Sequence, residues 1–149
     1  MSGQVQLSID GTSISVPPGT TLFEAARMHG IPIPTLCHQP NESPVGVCRV
    51  CVVEIEHARA LAASCVRPAE NNMVVFTNSG KVKRARRTLV ELLMADHPSP
   101  CARQRHSHDC ELETLARLEG VTQPRFPRRL SARGQDNSSL VIAVDHEDE

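Results

Sequence analysis

Hydrophobic and polar positions alternate in two short segments near the start of the chain. Val5–Ile9 and Ser13–Val16 each carry apolar residues at every second position, and Asp10 and Gly11 lie between them. Period-two alternation on both sides of an Asp-Gly dipeptide is typical of a β-hairpin, because this dipeptide accepts the positive φ values of a tight turn. The pattern therefore predicts a hairpin over residues 5–16.

The segment after the hairpin has the signals of a short helix. Glu24 follows Thr21, with Thr20 as the alternative cap, at the spacing of a capping box, and Gly30 is placed to end the helix. The residues predicted to face the core are Leu22, Ala25, Ala26 and Met28.

Three apolar segments and a longer helix are predicted farther along the chain. Cys51–Glu56, Ala60–Ala63 and Met73–Thr77 are predicted strands. Lys81–Ala95 has apolar residues at helical spacing, with basic residues on the opposite face. The apolar face predicted for this helix consists of Val82, Ala85, Leu89, Leu92 and Leu93.

The last third of the chain predicts a second helix, a loop and one strand. Glu111–Leu118 has a helical pattern that Gly120 ends, residues 121–139 are rich in Pro, Arg, Ser and Gly, and Leu140–Val144 precedes an acidic tail. This order of elements predicts an α+β fold. We expect a domain over residues 1–80, a connecting helix and mostly helical segment over 81–120, and a loop, short strand and acidic tail over 121–149.

Composition and charge narrow the classes of function. The chain has no Trp, no Tyr and three Phe, so aromatic platforms for single-stranded nucleic acid are almost excluded. Residues 81–133 carry twelve Lys and Arg against six acidic residues. We favour a solvated basic helix face, or a docking surface for an acidic partner, over nucleic-acid binding.

No apolar segment approaches the roughly 20 residues of a membrane span, and the first residues lack the basic and apolar regions of a secretory signal. We therefore expect a cytoplasmic protein, associated with a membrane only through a larger complex. Disulfides are rare in that compartment, so the six cysteines are expected to bind metal or to carry redox chemistry.

Four cysteines form the main candidate site. They are spaced Cys37-x10-Cys48-x2-Cys51-x13-Cys65. A zinc ribbon would show two close pairs, and a thioredoxin-like motif would begin a helix, whereas Cys51 leads into a predicted strand. A [2Fe-2S] cluster fits this spacing better, because four thiolates must converge on it from one irregular loop.

Three stretches resemble a known family: Val16–Ala26, Gly30–His38 and Gly46–Cys51. They are similar to the β-grasp [2Fe-2S] ferredoxin domain of the complex I and hydrogenase type. This family includes the iron–sulfur subunit of NADH:quinone oxidoreductase, the diaphorase subunit of NAD-coupled hydrogenases, and domains of [FeFe] hydrogenases and formate dehydrogenases. The resemblance implies a ferredoxin-like β-grasp fold and a [2Fe-2S] cluster at the four cysteines.

The resemblance also implies a second cluster segment, which is incomplete here. The family pattern His-x3-Cys-x2-Cys-x5-Cys holds a [4Fe-4S] cluster, and this chain has His97, Cys101, Gln104 and Cys110 at those positions. We favour an empty site, because a Gln amide is a poor ligand for iron in a sulfide cluster. Two alternatives stay open: a cluster completed by an outside ligand or by His106 or His108, and another metal such as zinc. The remaining histidines are expected to be solvated: His29, His38, His57 and His146.

The sequence therefore predicts an electron-transfer module. We expect a [2Fe-2S] protein or small subunit that passes single electrons within an NAD(P)H-, hydrogen- or formate-linked oxidoreductase complex. Its expected partners are flavin- or NAD-binding, hydrogenase, formate dehydrogenase or quinone reductase subunits. No nucleotide-binding loop and no catalytic triad stands out in the 149 residues, so a complete active site is not expected. The alternatives are a structural or regulatory zinc or iron module, and a truncated longer subunit.

Overall fold

The structure is a computed structural model that describes residues 3–38 and 42–126. Its first element is the predicted hairpin, formed by β1 (Val5–Ile9) and β2 (Thr12–Val16), which pair antiparallel. Asp10 and Gly11 both have positive φ, as a tight two-residue hairpin turn requires. The hairpin prediction is confirmed.

Five strands form one mixed sheet in the order β2-β1-β5-β3-β4. The three later strands are β3 (Val52–Ile55), β4 (Ala62–Ala63) and β5 (Val74–Phe76), within the predicted segments. β1 and β5 pair parallel at the centre of the sheet, and the other pairs are antiparallel. The predicted α+β class, with a ferredoxin-like β-grasp sheet, is confirmed.

The first helix, α1 (Leu22–Met28), begins where the sequence predicts. Thr21 is the N-cap, and its side chain and the Glu24 side chain form the reciprocal bonds of a capping box. Met28 is exposed, so its predicted place on the inner face is wrong. Leu22, Ala25 and Ala26, the other three residues of the predicted inner face, are buried in the core.

The main hydrophobic core lies between the sheet and α1. It is built from aliphatic side chains and includes two of the candidate thiols, Cys51 and Cys65. The fully or almost fully buried members are Ile9, Val16, Leu22, Ala25, Ala26, Cys51, Val53, Cys65 and Val75. The inner half of the candidate site is therefore part of the core itself.

Three helices follow the sheet: α2 (Gly80–Asp96), α3 (Ala102–His106) and α4 (Glu111–Leu118). The first and third were predicted, whereas α3 was not. A second hydrophobic cluster joins α2 and α4 to the cysteine-bearing loop. Its buried members are Val50, Val90, Met94, Leu115, Ala116 and Val121, and Leu36 and Cys48 pack against it.

The buried face of α2 differs from the predicted one. Val82, Val90 and Met94 are buried, whereas Leu92 is half exposed. Two charged residues of the same helix, Arg86 and Glu91, are also buried. Val82 confirms part of the predicted apolar face, whereas the placement of the basic residues on the solvated face is wrong at Arg86, because this side chain has polar partners inside the protein.

Some sequence predictions fall outside the described residues, namely the strand over 140–144, the acidic tail and the part of the Arg-rich loop from residue 127. The domain boundaries at 80 and 120 stay predictions. Within the described residues, no helix is long and apolar enough to cross a membrane.

Candidate metal centre

The four cysteines Cys37, Cys48, Cys51 and Cys65 come together at one end of the sheet. Cys51 directly precedes β3 and Cys65 follows β4 by two residues, and the antiparallel pairing of these strands brings the two thiols together. Ser64, which is fully buried, donates its hydroxyl to the Cys51 carbonyl at 2.7 Å and so fixes this alignment. Cys37 and Cys48 lie on the irregular loop outside the sheet and are half-buried.

The sulfur atoms are close enough to influence one another's ionisation. Cys51 Sγ and Cys65 Sγ are 3.3 Å apart. Burial, and then the neighbouring thiols, with that of Cys51 first, raise the pKa of Cys65 to about 12. Burial alone would raise the pKa of Cys37 as well, but backbone N–H groups, that of Cys48 first, lower it. The four thiols therefore form a single group with a buried half and a half near the surface.

Backbone N–H groups favour the anionic form of the Cys37 thiol. The N–H of Cys48 donates to Cys37 Sγ at 3.4 Å. The loop reaches this conformation through positive φ at Gly46 and at Arg49, on either side of Cys48. Gly46 is also packed closely, because a Cβ there would lie 3.1 Å from Val66 Cγ1. The loop thus holds a conformation in which its amides face sulfur, as an anionic metal–sulfur group requires.

Two further polar atoms near Cys37 are buried. Among residues 3–38 and 42–126, neither Thr35 Oγ1 nor His38 Nδ1 has a hydrogen-bond partner. The His38 ring packs edge-on against Phe23, with ring centroids 5.0 Å apart. His38 is partly buried, so the expectation that it is a solvated surface group is met only in part. Buried polar atoms without a protein partner beside a thiol group fit a site that holds a polar inorganic group.

Arg86 of α2 holds the backbone on both sides of Cys51. Its Nε donates to the Val50 carbonyl at 3.2 Å, and its Nη2 donates to the carbonyls of Val52 at 3.3 Å and Thr77 at 3.2 Å. The carboxylate oxygen Oε1 of Glu119 lies 3.8 Å from Nη1 of Arg86. Burial lowers the pKa of Arg86. This residue belongs to the predicted docking face of the helix, but it is a structural residue inside the protein.

A second group of metal-ligand side chains lies where the three later helices meet. His97 caps the C-terminus of α2, while Cys101 and Cys110 are the N-caps of α3 and α4. Cys110 Sγ is 3.6 Å from His97 Nε2, and Glu113 Oε1 is 3.5 Å from the same nitrogen. One ligand atom from each of His97, Cys101, Cys110 and Glu113 lies within 4.8 Å of all the others.

Gln104 lies at this group, but its side chain has another partner. Its Oε1 accepts the backbone N–H of Cys110 at 3.2 Å, and its own backbone N–H donates to Cys101 Sγ at 3.3 Å. His106 and His108, the proposed substitutes for the missing cysteine, are exposed and do not join the group. Gln104 therefore orients the two neighbouring cysteines.

Glu113 is the member of this group that the sequence prediction missed. It lies three residues after Cys110 in the first turn of α4, and residues at this spacing share a helix face. The Cys-x2-Glu spacing at the start of a predicted helix was the available signal. Its relation to His97 depends on the packing of α4 against α2, which the spacing does not contain.

The chain is similar over most of its length to segments of several much longer oxidoreductase subunits. It is 48% identical over 142 residues to the NADP-reducing hydrogenase subunit HndD of Solidesulfovibrio fructosivorans, covering 91% of this chain and 24% of the relative. It is 37% identical over 122 residues to the NADH-ubiquinone oxidoreductase 75 kDa subunit of Reclinomonas americana, covering 82% of this chain and 18% of the relative. It is 31% identical to the mitochondrial NADH-ubiquinone oxidoreductase 78 kDa subunit of Candida albicans, covering 92% and 19%. The chain thus spans a quarter or less of the length of these relatives.

A solved structure shows the same fold. A chain from the crystal structure of an NAD+-reducing [NiFe]-hydrogenase in the H2-reduced state superposes with a TM-score of 0.78 and 37% identity, covering 91% of this chain and 57% of that chain. Residues 2–80 match the family described as a 2Fe-2S iron-sulfur cluster binding domain. This match covers more than half of the chain and includes all four cysteines of the first site. The protein accordingly belongs to the 2Fe-2S iron-sulfur cluster binding domain family.

Proposed function

We propose that Cys37, Cys48, Cys51 and Cys65 hold a [2Fe-2S] cluster and that the protein passes single electrons within a larger oxidoreductase. The observation that carries this proposal is the convergence of these four thiols, and of no other cysteine in the described residues, at one end of the sheet. Bound there, a [2Fe-2S] cluster supplies one-electron oxidation and reduction at sites of thiolate-ligated iron.

The sulfur positions support an assignment of the ligands in two pairs. Cys51 and Cys65, with their sulfurs 3.3 Å apart, would bind one iron. Two thiolates on one tetrahedral ion with bonds of about 2.3 Å lie about 3.7 Å apart, so this spacing needs little change. Cys37 and Cys48 would bind the other iron, because the Cys48 N–H already reaches the Cys37 sulfur. The inner pair is shielded by the core and the outer pair lies near solvent.

The protein residues around the site have three roles in this proposal. Arg86 keeps the Cys51 backbone in place, and its positive charge favours the more negative reduced state. The main core excludes water from the inner pair. Val45 and Val47, 65% and 73% exposed, lie just before Cys48 in the sequence, and an electron-transfer partner would dock on these exposed apolar side chains.

We propose that this partner is another subunit of an oxidoreductase complex. The relatives are named as subunits of an NADP-reducing hydrogenase and of NADH-ubiquinone oxidoreductases, which supports a hydrogenase, flavin- or NAD-binding, or quinone reductase partner. A formate dehydrogenase partner rests on the sequence resemblance alone. A cytoplasmic location and the absence of a complete active site stay predictions from the sequence.

The test is a reductive titration of the anaerobically purified full chain. Chain concentration is taken from quantitative amino-acid analysis, because the sequence has no Trp or Tyr for ultraviolet absorbance. We expect visible absorption that one electron per chain bleaches and that an added one-electron acceptor restores. A colourless protein that contains zinc at all four cysteines would instead support the structural or regulatory alternative and exclude electron transfer.

A further inference from the structure

We propose that His97, Cys101, Cys110 and Glu113 form a closed four-ligand site for a single Zn²⁺ ion. This site shares no residue with the first one, so the proposal does not rest on the electron-transfer function. Its four ligand atoms come from the junction of α2, α3 and α4, and all lie within 4.8 Å of one another.

The measured separations fit one tetrahedral ion. With zinc bonds of about 2.3 Å to sulfur and about 2.1 Å to nitrogen or oxygen, tetrahedral ligands lie about 3.6 Å apart for sulfur and nitrogen and about 3.4 Å apart for nitrogen and oxygen. Cys110 Sγ and His97 Nε2 are 3.6 Å apart, and His97 Nε2 and Glu113 Oε1 are 3.5 Å apart. These two separations already match a tetrahedral ion, and the other four are at most 4.8 Å, so zinc binding would require the ligand atoms to close up by about 1 Å at most.

The donor set also selects the metal. Thiolate, imidazole and carboxylate are each ordinary zinc ligands, and four protein ligands with no open position are typical of a structural zinc site. Cys101, Cys110 and Glu113 are at most 8% exposed by residue or side chain, and the His97 side chain is 16% exposed, so the site is largely shielded from solvent. Zinc binding would release the thiol protons of Cys101 and Cys110, because thiolate is the form that binds the ion.

Neighbouring groups hold the ligands in position. The backbone N–H of Cys101 donates to Glu113 Oε1 at 2.8 Å, and the N–H of Gln104 donates to Cys101 Sγ at 3.3 Å. Gln104 Oε1 in turn accepts the N–H of Cys110 at 3.2 Å. Such contacts around a metal ligand fix its orientation and strengthen binding.

The [4Fe-4S] cluster that the sequence resemblance implies at this place does not fit these residues. In such a cluster each ligand binds a different iron, which needs four separated donors. Here Gln104 replaces one thiolate and its amide oxygen is bonded to Cys110 N–H, while Glu113 brings a carboxylate in among the other three ligands. With Gln104 in place of a cysteine and Glu113 among the ligands, these residues favour a single metal ion over a [4Fe-4S] cluster.

The expected role of the ion is to join three helix ends. His97 ends α2, Cys101 begins α3, and Cys110 and Glu113 begin α4. Helices α2 and α4 enclose the second hydrophobic cluster, against which Cys48 of the first site packs. Zinc binding would thereby stabilise the surface that supports the outer thiol pair.

The experiment measures zinc, iron and sulfide per chain after loosely bound metal has been removed on a chelating resin. The proteins compared are the wild type, Glu113→Gln, Cys110→Ser and the matched control Glu111→Gln, which changes an exposed carboxylate in the same helical turn. Zinc X-ray absorption of the wild type identifies the ligand atoms. A chromophoric chelator in competition gives the relative zinc affinities.

We expect about one zinc per chain in the wild type and in Glu111→Gln, with a ligand shell of two sulfur and two lighter atoms. Glu113→Gln should bind zinc at least about tenfold more weakly, and Cys110→Ser more weakly still, while the visible absorption of each remains that of the wild type. If Cys110→Ser does not fold, Glu113→Gln and the X-ray absorption decide. Absence of zinc, a four-sulfur shell, about six irons per chain, or equal affinity in Glu113→Gln would each overturn the proposal.

Discussion

The guanidinium of Arg86 donates to the carbonyl of Val50, the residue directly before Cys51 in the candidate cluster loop, at 3.2 Å. Two further carbonyls, those of Val52 and Thr77, accept from the same side chain. A helix outside the sheet thus holds the backbone from which one of the four candidate ligands extends. The carbonyls of Val50, Val52 and Thr77 lie 36, 34 and 9 residues from Arg86 in the sequence, and all three accept from its buried guanidinium.

Replacing Arg86 by Met should loosen the first site. The change leaves three buried carbonyls without their donor and Glu119 without its partner, which costs on the order of 2–4 kcal/mol. The measurement is the temperature at which the visible absorption is lost, since metal release and unfolding are coupled. We expect a clearly lower temperature for Arg86→Met than for Arg84→Met, which removes an exposed charge from the same helix. Equal temperatures would show that the carbonyl contacts do not support the site.

The visible absorption should depend on the cysteines of the first site and not on those of the second. Cys65→Ser removes a buried sulfur 3.3 Å from Cys51, and Cys48→Ser removes one from the outer pair, so either change should abolish or strongly diminish the visible absorption. Cys101→Ser changes an equally buried thiol outside the loop and is the matched control. We expect it to keep the absorption of the wild type. Loss of colour in Cys101→Ser, or its retention in Cys48→Ser, would contradict the ligand assignment.

Replacing Gly46 by Ala should lower the thermal stability of the protein, measured as its unfolding temperature. Its φ of 65° is a left-handed conformation, which costs a residue with a Cβ about 1–2 kcal/mol, and the new methyl group would meet Val66 at 3.1 Å. Gly120→Ala is the control, because Gly120 has a φ of 68° but nothing within 4 Å of the added atom. Both variants should lose thermal stability because alanine is strained at a positive φ. Gly46→Ala should lose more than Gly120→Ala, because only its methyl group meets another side chain.

A double variant separates the two contributions at Gly46. Adding Val66→Ala to Gly46→Ala removes the side chain that the new methyl group meets, so part of the lost thermal stability should return. The remaining deficit should match that of Gly120→Ala. If Val66→Ala lowers the stability of Gly46→Ala further, close packing at this loop is not the reason that glycine is required.

Local patterns predicted the elements, because they depend on residues that are close in the sequence. The hairpin follows from alternation and an Asp-Gly turn, and α1 follows from the Thr21 and Glu24 capping box. The spacing of the four cysteines likewise indicated one metal site, and their role as its ligands stays a prediction. The contact between Cys51 and Cys65 depends in addition on the pairing of β3 with β4, which the spacing does not contain.

The predictions that were wrong or incomplete concern contacts between distant segments. Arg86 was expected on the basic, solvated face of α2, but carbonyls of the cysteine loop accept its hydrogen bonds. The burial of Glu91, which pairs with Arg125, was not predicted. Glu113 joins His97 only because α4 packs against α2. From the sequence alone, a charged side chain is expected to be solvated, because burial without a partner is costly. Whether a distant residue supplies that partner depends on tertiary packing, which local patterns do not show.

Quantitative electron paramagnetic resonance of the chemically reduced full chain is the decisive measurement for a [2Fe-2S] cluster held by Cys37, Cys48, Cys51 and Cys65. The spin count is compared with iron and acid-labile sulfide in the same sample. We expect one rhombic signal of about one spin per chain, together with about two irons and two sulfides per chain. A reduced protein without this signal, or a sample with zinc in place of iron at these four cysteines, would refute the cluster assignment.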